Sequence, residues 1–249
     1  MGRTTMQKKV GTGHGSDLID VTAGSSGIEW LLSHFDDGDF QRSIAGLLQW
    51  LDDMKASNHI FQKRIGLNTL ADWSPDGDGM LSHKEGRFFR IIGIRVLSEA
   101  REVPAWSQPI VDNVGTGIIG LLVKQEQGTT SFLMQAKAEV GNRPVVQLAP
   151  TVQFTQENYT QSKKLRKPFL FDEFNTPRAF PVLRESRQSE EGARFYKEQH
   201  VHRVLQLPER HVLDLPLDYR WLTANQLRFF LHCGEQVNSC ARSILSCML

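Results

Sequence analysis

Between Gly117 and Thr155 three apolar runs follow one another closely: GIIGLLVKQ at 117–125, TTSFLMQAKAE at 129–139 and PVVQLAPTVQFT at 144–155. Their β-branched content and the turn residues between them predict three strands, the first two joined through QEQGT as a hairpin. In the second run Phe132, Met134, Ala136 and Ala138 alternate with Leu133, Gln135, Lys137 and Glu139. Successive strand residues point to opposite faces, so one face turns polar late in this strand, where a site could form. A further strand is predicted in GRFFRIIGIRVL at 86–97, while the two prolines of REVPAWSQP at 101–109 make that segment a connection or a sheet edge.

Helical signals bracket these strands. In DFQRSIAGLLQWLDDM, residues 39–54, Ile44, Leu47, Leu48 and Leu51 fall at i, i+3, i+4 and i+7, one apolar stripe, with Asp39 as an N-cap. GIEWLLSHF at 27–35 gives an earlier helical signal, and SPDGDG at 74–79 is a dense turn. Near the other end, WLTANQLRFFLHCG at 221–234 pairs Thr223 with Gln226 as a capping box and stops at Gly234; ARSILSCML follows as a last helix. RESRQSEEGARFYKEQHV at 184–201 reads as a helix broken at Gly192, and HRVLQL at 202–207 as a short strand. Helices around a central group of strands predict an α+β fold. With no internal repeat and no linker, residues 27–249 are expected to form one domain behind a loose lead-in at 1–26.

Composition removes several classes of function. Across 249 residues, 29 Lys and Arg against 28 Asp and Glu give a formal net charge of +1, which offers no global case for a nucleic-acid partner. No run approaches 18 apolar residues, and the basic start has no apolar stretch after it. Neither a membrane span nor a secretory signal is therefore expected, and the protein is expected to be cytoplasmic. Cys233, Cys240 and Cys247 are odd in number and seven apart, a pattern that suits neither a disulfide scaffold nor a zinc site. Walker, GxGxxG, GxSxG and HExxH motifs are missing.

Other local patterns have plain structural readings. DWSPDGDGMLSH at 72–83 is spaced like a calcium loop but puts His83 where the bidentate glutamate belongs, so it is read as a turn. His200 and His202 share one strand face without a third ligand at a matching spacing, and an exposed strand face is the reading. KKLRK at 163–167, beside Phe169 and Phe171, is read as a solvated charge run. His83, between a turn and a strand, could serve as a base in a cleft.

The informative segment is 131–159, which gathers Gln135, Lys137, Glu139, Asn142, Gln153, Asn158 and Tyr159 in or between strands. A lysine and a glutamate two apart on one strand face form a pair whose proton affinities burial can separate. Such a pair suits acid–base chemistry on a hydroxylated ligand; a salt-linked strand end is the alternative.

The same segment, MQAKAEVGNRPVVQLAPTVQFTQENYT, resembles the signature of the NDP-hexose 2,3-dehydratase family, usually close to QAKAEPGN, QLSPTVQAT and SNY. GRFFRIIGIRV, REVPAWSQPI, RQSEEGARFY, WLTANQL and FLHCGEQVNSCARSILSC are similar to further family blocks in the same order. The resemblance implies a Nudix-like mixed β-sheet sandwiched by helices and lacking the Nudix box, since REVPAW has none of the glycine and glutamate framework. It also implies loss of the C2 hydroxyl and a C3 proton, as water, from dTDP-4-keto-6-deoxyglucose in deoxysugar biosynthesis for antibiotics or surface glycans, with no cofactor. On the matching positions it assigns proton transfer or electrostatic roles to Lys137 and Glu139, with His83 as a further candidate. Gln135, Asn142, Gln153, Asn158 and Tyr159 would touch sugar or pyrophosphate, Trp106 the base or sugar, and Arg194 or Arg242 the phosphates.

The chain departs from the family pattern in several places. EVGN replaces EPGN at 139–142, the histidine after SNYT is missing, and EQHVHRVLQL replaces an RNRN stretch. VNSCARS at 237–243 stands where VNMDARS is usual, so Cys240 takes the place of a carboxylate. Family chains are tandem duplications of about twice this length, which makes a homodimer the expected substitute. A non-catalytic nucleotide-sugar-binding or partner protein is the alternative function, and another lyase or isomerase of a keto-sugar is a third.

Overall fold

A computed structural model describes residues 40–113, 115–126, 128–160 and 165–248. The lead-in, the helical signal at 27–35, the Asp39 cap and the first two lysines of KKLRK lie outside the described residues. Helix α1 spans Phe40–Ala56. Ile44, Leu47 and Leu51 of its stripe are buried, but Leu48 is exposed and Trp50 is buried in its stead, its indole N–H donating to the Leu217 carbonyl at 3.0 Å.

Eleven strands are named among the described residues, in two sheets. Strands β1 (Trp73–Pro75), β2 (Leu81–His83), β3 (Phe89–Leu97) and β4 (Ala105–Asn113) form an antiparallel sheet in that order. Pro109 sits in β4, at the end of the order, where its missing N–H costs no ladder bond to a further strand. The turn between β1 and β2 is closed by Asp76, whose carboxylate accepts from the Asp78 and Met80 amides. The calcium-like spacing is thus a hairpin turn.

The larger sheet runs β11 (Tyr219–Thr223), β6 (Thr129–Ala138), β5 (Gly117–Glu126), β10 (Gln199–Gln206), β9 (Val182–Ser189). Only β5 and β10 pair in parallel among these, so the sheet is mixed. The run at 144–155 is not one strand but two, β7 (Val146–Ala149) on β6 and β8 (Val152–Thr155) on β5. Strands β5 and β6 pair only up to Leu122 and Leu133 and then diverge, and β7 and β8 fill the fork. Thr151 stands at the crotch, fully buried: its hydroxyl accepts from the Leu122 amide at 2.8 Å and donates to the Leu133 carbonyl at 2.6 Å. It replaces the rung that the diverging strands can no longer make.

Residues 184–189, read from sequence as part of a helix, belong to β9 instead, and the turn after it leads into β10. As the last strand in the order β9 is mostly exposed, so Arg184, Glu185 and Arg187 occupy it without an apolar alternation to betray it. Residues 199–201, also given to that helix, begin β10.

Short helices α2 (Gln156–Thr160) and α3 (Phe171–Asn175) follow β8, and α4 (Ala224–His232) and α5 (Ser239–Ser246) close the described chain. One core cluster joins Leu47 and Leu51 of α1 to Met134, Leu148, Phe230 and Ile244; a second joins Leu133, Phe154, Phe171, Phe174 and Tyr219. The alternating residues of β6 thus divide between two cores, which confirms the α+β class, here with two sheets. The capping box forms as read, Thr223 N–H donating to Gln226 Oε1 at 2.8 Å and Gln226 N–H to Thr223 Oγ1 at 3.3 Å. Thr223→Ala should lower stability by about 1 kcal/mol, a shift of about 2–4 °C in a thermal melt. No helix among the described residues is long and apolar enough to cross a membrane.

Candidate functional site

The fork in the sheet opens onto a cleft of about 710 Å³. Its walls come from the start of β5, from β8 and α2, from the turn after β6, from the β9–β10 connection and from Ser239 and Cys240 at the start of α5.

One wall is built on Glu139, immediately after β6. Its Oε1 accepts from the Gln153 side-chain amide and lies 3.6 Å from the Lys137 ammonium. Its Oε2 accepts from Asn142 Nδ2 at 2.9 Å and Asn238 Nδ2 at 3.1 Å. Asn238 also donates to Gln153 Oε1 at 3.1 Å, and its Oδ1 caps α5 by accepting from the Ala241 amide at 2.8 Å. Gln153 and Asn142 line the cleft, whereas Lys137 and Glu139 do not. Burial lowers the proton affinity of the Lys137 amine, and the neighbouring Glu139 carboxylate opposes that shift. The sequence reading of Lys137 and Glu139 as a pair is therefore met in space, with the pair orienting wall amides.

On the other side Tyr159 packs against Phe154 and Phe171, with ring centroids at 6.2 and 5.1 Å. Burial raises the pKa of its phenol, which stays protonated and can donate. Asn158 and Arg194 also line the cleft, Arg194 paired with Glu191 at 3.2 Å. Cys240 faces the same space, its thiol pushed up to about 11 by burial, with the Glu139 and Glu190 carboxylates adding to the shift. At pH 8 only about one part in a thousand is thiolate. Iodoacetamide should therefore modify exposed Cys233 well before Cys240, as peptide mass mapping over time would show.

Four of the residues singled out from sequence lie elsewhere. Trp106 on β4 donates to Gln108 Oε1 at 2.8 Å, and Gln135 donates to Asp218 Oδ2 at 2.8 Å. Arg242 donates to the Val237 carbonyl. His83 sits against the Trp73 and Phe88 rings, its Nδ1 accepting from the Glu85 amide at 3.2 Å. None of these lines the cleft.

The histidine pair is not an exposed strand face. His202 is only 2% exposed, its Nε2 lies 2.8 Å from Ser243 Oγ on α5, and burial lowers its pKa. His200 lines the cleft, together with Glu190, Glu198 and Asn113, which sequence reasoning missed. The spacing of two histidines at i and i+2 was the available signal, and the β9–β10 connection supplies the carboxylates. Among the described residues no three His, Cys, Asp or Glu side chains are grouped to hold a metal ion. The cleft offers carboxylates, an imidazole, a phenol and oriented amides, a set for moving protons on a hydroxylated ligand.

The family model described as NDP-hexose 2,3-dehydratase matches residues 44–248. Among curated proteins the chain is similar to a dTDP-4-dehydro-6-deoxy-alpha-D-glucopyranose 2,3-dehydratase of Streptomyces violaceoruber, 38% identical over 205 residues, which is 82% of this chain and 46% of the relative. Proteins of the same name from Saccharopolyspora spinosa and Amycolatopsis orientalis are 38% and 34% identical, over 80% of this chain and 41% and 43% of their own length. The chain spans less than half the length of these relatives.

Proposed function

We propose, from the premise that this chain belongs to the NDP-hexose 2,3-dehydratase family, that it eliminates water across C2–C3 of dTDP-4-keto-6-deoxyglucose. The observation that carries this reading is the Glu139 hub, which turns the amides of Gln153, Asn142 and Asn238 into a fixed wall beside the cleft. Fixed amides suit a sugar with several hydroxyls, because each is oriented before the ligand arrives.

The chemistry follows from the substrate. A 4-keto group acidifies the C3 hydrogen, so a positioned base removes it, and donors aimed at O4 stabilise the enolate. Expulsion of the C2 oxygen as water leaves a 3-enol that tautomerises to a 3,4-diketone. The change is redox-neutral overall and needs no electron acceptor. Tyr159, protonated, is the donor we assign to the reacting oxygens, and Arg194 the contact for the pyrophosphate. Lys137 and Glu139 set the charge and the amide orientation behind the wall. We place the protein in the cytoplasm, where nucleotide sugars are made, with two copies of the chain in the working unit.

Incubation with dTDP-4-keto-6-deoxyglucose and a ketoreductase that traps the diketo product tests the reaction, and light scattering tests the dimer. Reductase-dependent formation of the 2-deoxy product is expected. Tight dTDP binding without product would instead make the chain a nucleotide-sugar-binding protein, the reading that the Cys240 replacement favours.

A further inference from the structure

We infer that Glu190 is the carboxylate that takes the C3 proton and that His200 is the residue positioning it, an inference that rests on the dehydratase reading above. Glu190 follows β9 and Glu198 precedes β10, and the Glu190 amide donates to the Glu198 carbonyl at 3.0 Å, which pins the two together. His200 Nε2 lies 3.3 Å from Glu190 Oε1 and 3.4 Å from Glu198 Oε1. The Glu198 side chain is 4% exposed and accepts from the Asn113 amide, whereas that of Glu190 is 27% exposed. Glu190 is therefore the member of this array that a ligand in the cleft can reach.

The array is built for a ligand-facing task. Glu198 Oε2 and His200 Nδ1 are buried without hydrogen-bond partners among the described residues, a cost that a merely structural cluster would have relieved. Gly117 makes room for the imidazole, since a Cβ there would lie 2.5 Å from Nδ1. The other acceptors fall away one by one. Glu191 is paired with Arg194, Lys137 and Glu139 are paired with each other and do not line the cleft, and Tyr159 and Cys240 hold their protons.

In the step, the C3–H bond breaks and the proton forms an O–H bond on Glu190. The electron pair enters C3–C4, with the charge on O4. That pair then returns to form C2=C3 as the C2–O bond breaks, and the proton goes back to the departing oxygen, which leaves as water. His200 holds the Glu190 carboxylate toward C3 and does not touch the sugar.

The test compares the full chain with Glu190→Gln, His200→Ala and His200→Asn. Turnover is read by trapping, C3 exchange by proton NMR in deuterium oxide, and dTDP binding by calorimetry. Glu190→Gln should lose about 100-fold or more in both turnover and C3 exchange, with dTDP affinity unchanged. His200→Ala should lower kcat by about tenfold at constant KM, and His200→Asn, which keeps an N–H toward Glu190, should recover most of it. Turnover by Glu190→Gln within about twofold of the parent overturns the inference and leaves the dehydratase reading intact. So does a KM effect in place of a kcat effect in His200→Ala. A parent that exchanges C3 without eliminating water sinks the dehydratase reading and keeps Glu190 as the base. A parent that does neither sinks both.

Discussion

Glu139→Ala is expected to abolish turnover, by about 100-fold or more, and to lower stability by about 2–4 kcal/mol. The two effects share a cause. Alanine leaves the amides of Asn142 and Gln153 without their acceptor, removes one of the two acceptors of the Asn238 amide, and leaves the Lys137 ammonium without its carboxylate. A buried donor stripped of a partner costs about 1–3 kcal/mol, and part of that is recovered here because the Asn142 and Gln153 amides are only half-buried beside a cleft that admits water. The amides, free to turn, no longer present one pattern to a sugar. Glu139→Gln keeps the volume but sets a new NH2 against two of the donors, so it should resemble alanine in activity. Thermal melts and the trapping assay on the same preparations separate the two effects. A folded Glu139→Ala protein with parental turnover would remove the hub from the function.

Thr151→Val is the second large effect, and it falls on stability. Valine matches threonine in shape, so no cavity opens, but the Leu122 amide loses its acceptor and the Leu133 carbonyl its donor at a fully buried position. Two orphaned backbone groups cost about 2–5 kcal/mol, whereas Thr151→Ser keeps the hydroxyl and should cost about 1 kcal/mol for the lost methyl. Urea denaturation of the three proteins checks the order. The Tyr219 hydroxyl, which donates to the Thr151 carbonyl at 3.1 Å, is present in all three and does not confound it.

Much of this fold was legible where local chemistry settles the conformation. The capping box at Thr223, the stripe of α1, and β3, β5 and β6 all follow from residue types at short spacing. Failure came where the deciding interaction is distant. Strand β9 has the composition of a solvated helix because its partner lies on one side only, and the split of 144–155 depends on a fork made by other strands. The site divides in the same way. Asn142, Gln153, Asn158, Tyr159 and Arg194, singled out from the sequence blocks as ligand contacts, line the cleft. Asn113, Glu198 and His200 could not be assembled in advance, because β4 meets the β9–β10 connection and β10 only in the folded chain.

The parallel pairing of β5 with β10 has a kinetic consequence. His200 reaches Gly117 only after the hairpin, the fork, both short helices and β9 have been threaded between them. That closure is one of the two most non-local pairings of the large sheet, with β6–β11, and loop entropy makes such pairings form late. The cleft has one lip on each side of it, so a concave surface exists only once the chain has closed this long loop. A ligand bridging those lips acts as a latch on a late-forming contact. It holds the native state by mass action and slows opening at the seam where the sheet would otherwise begin to unzip.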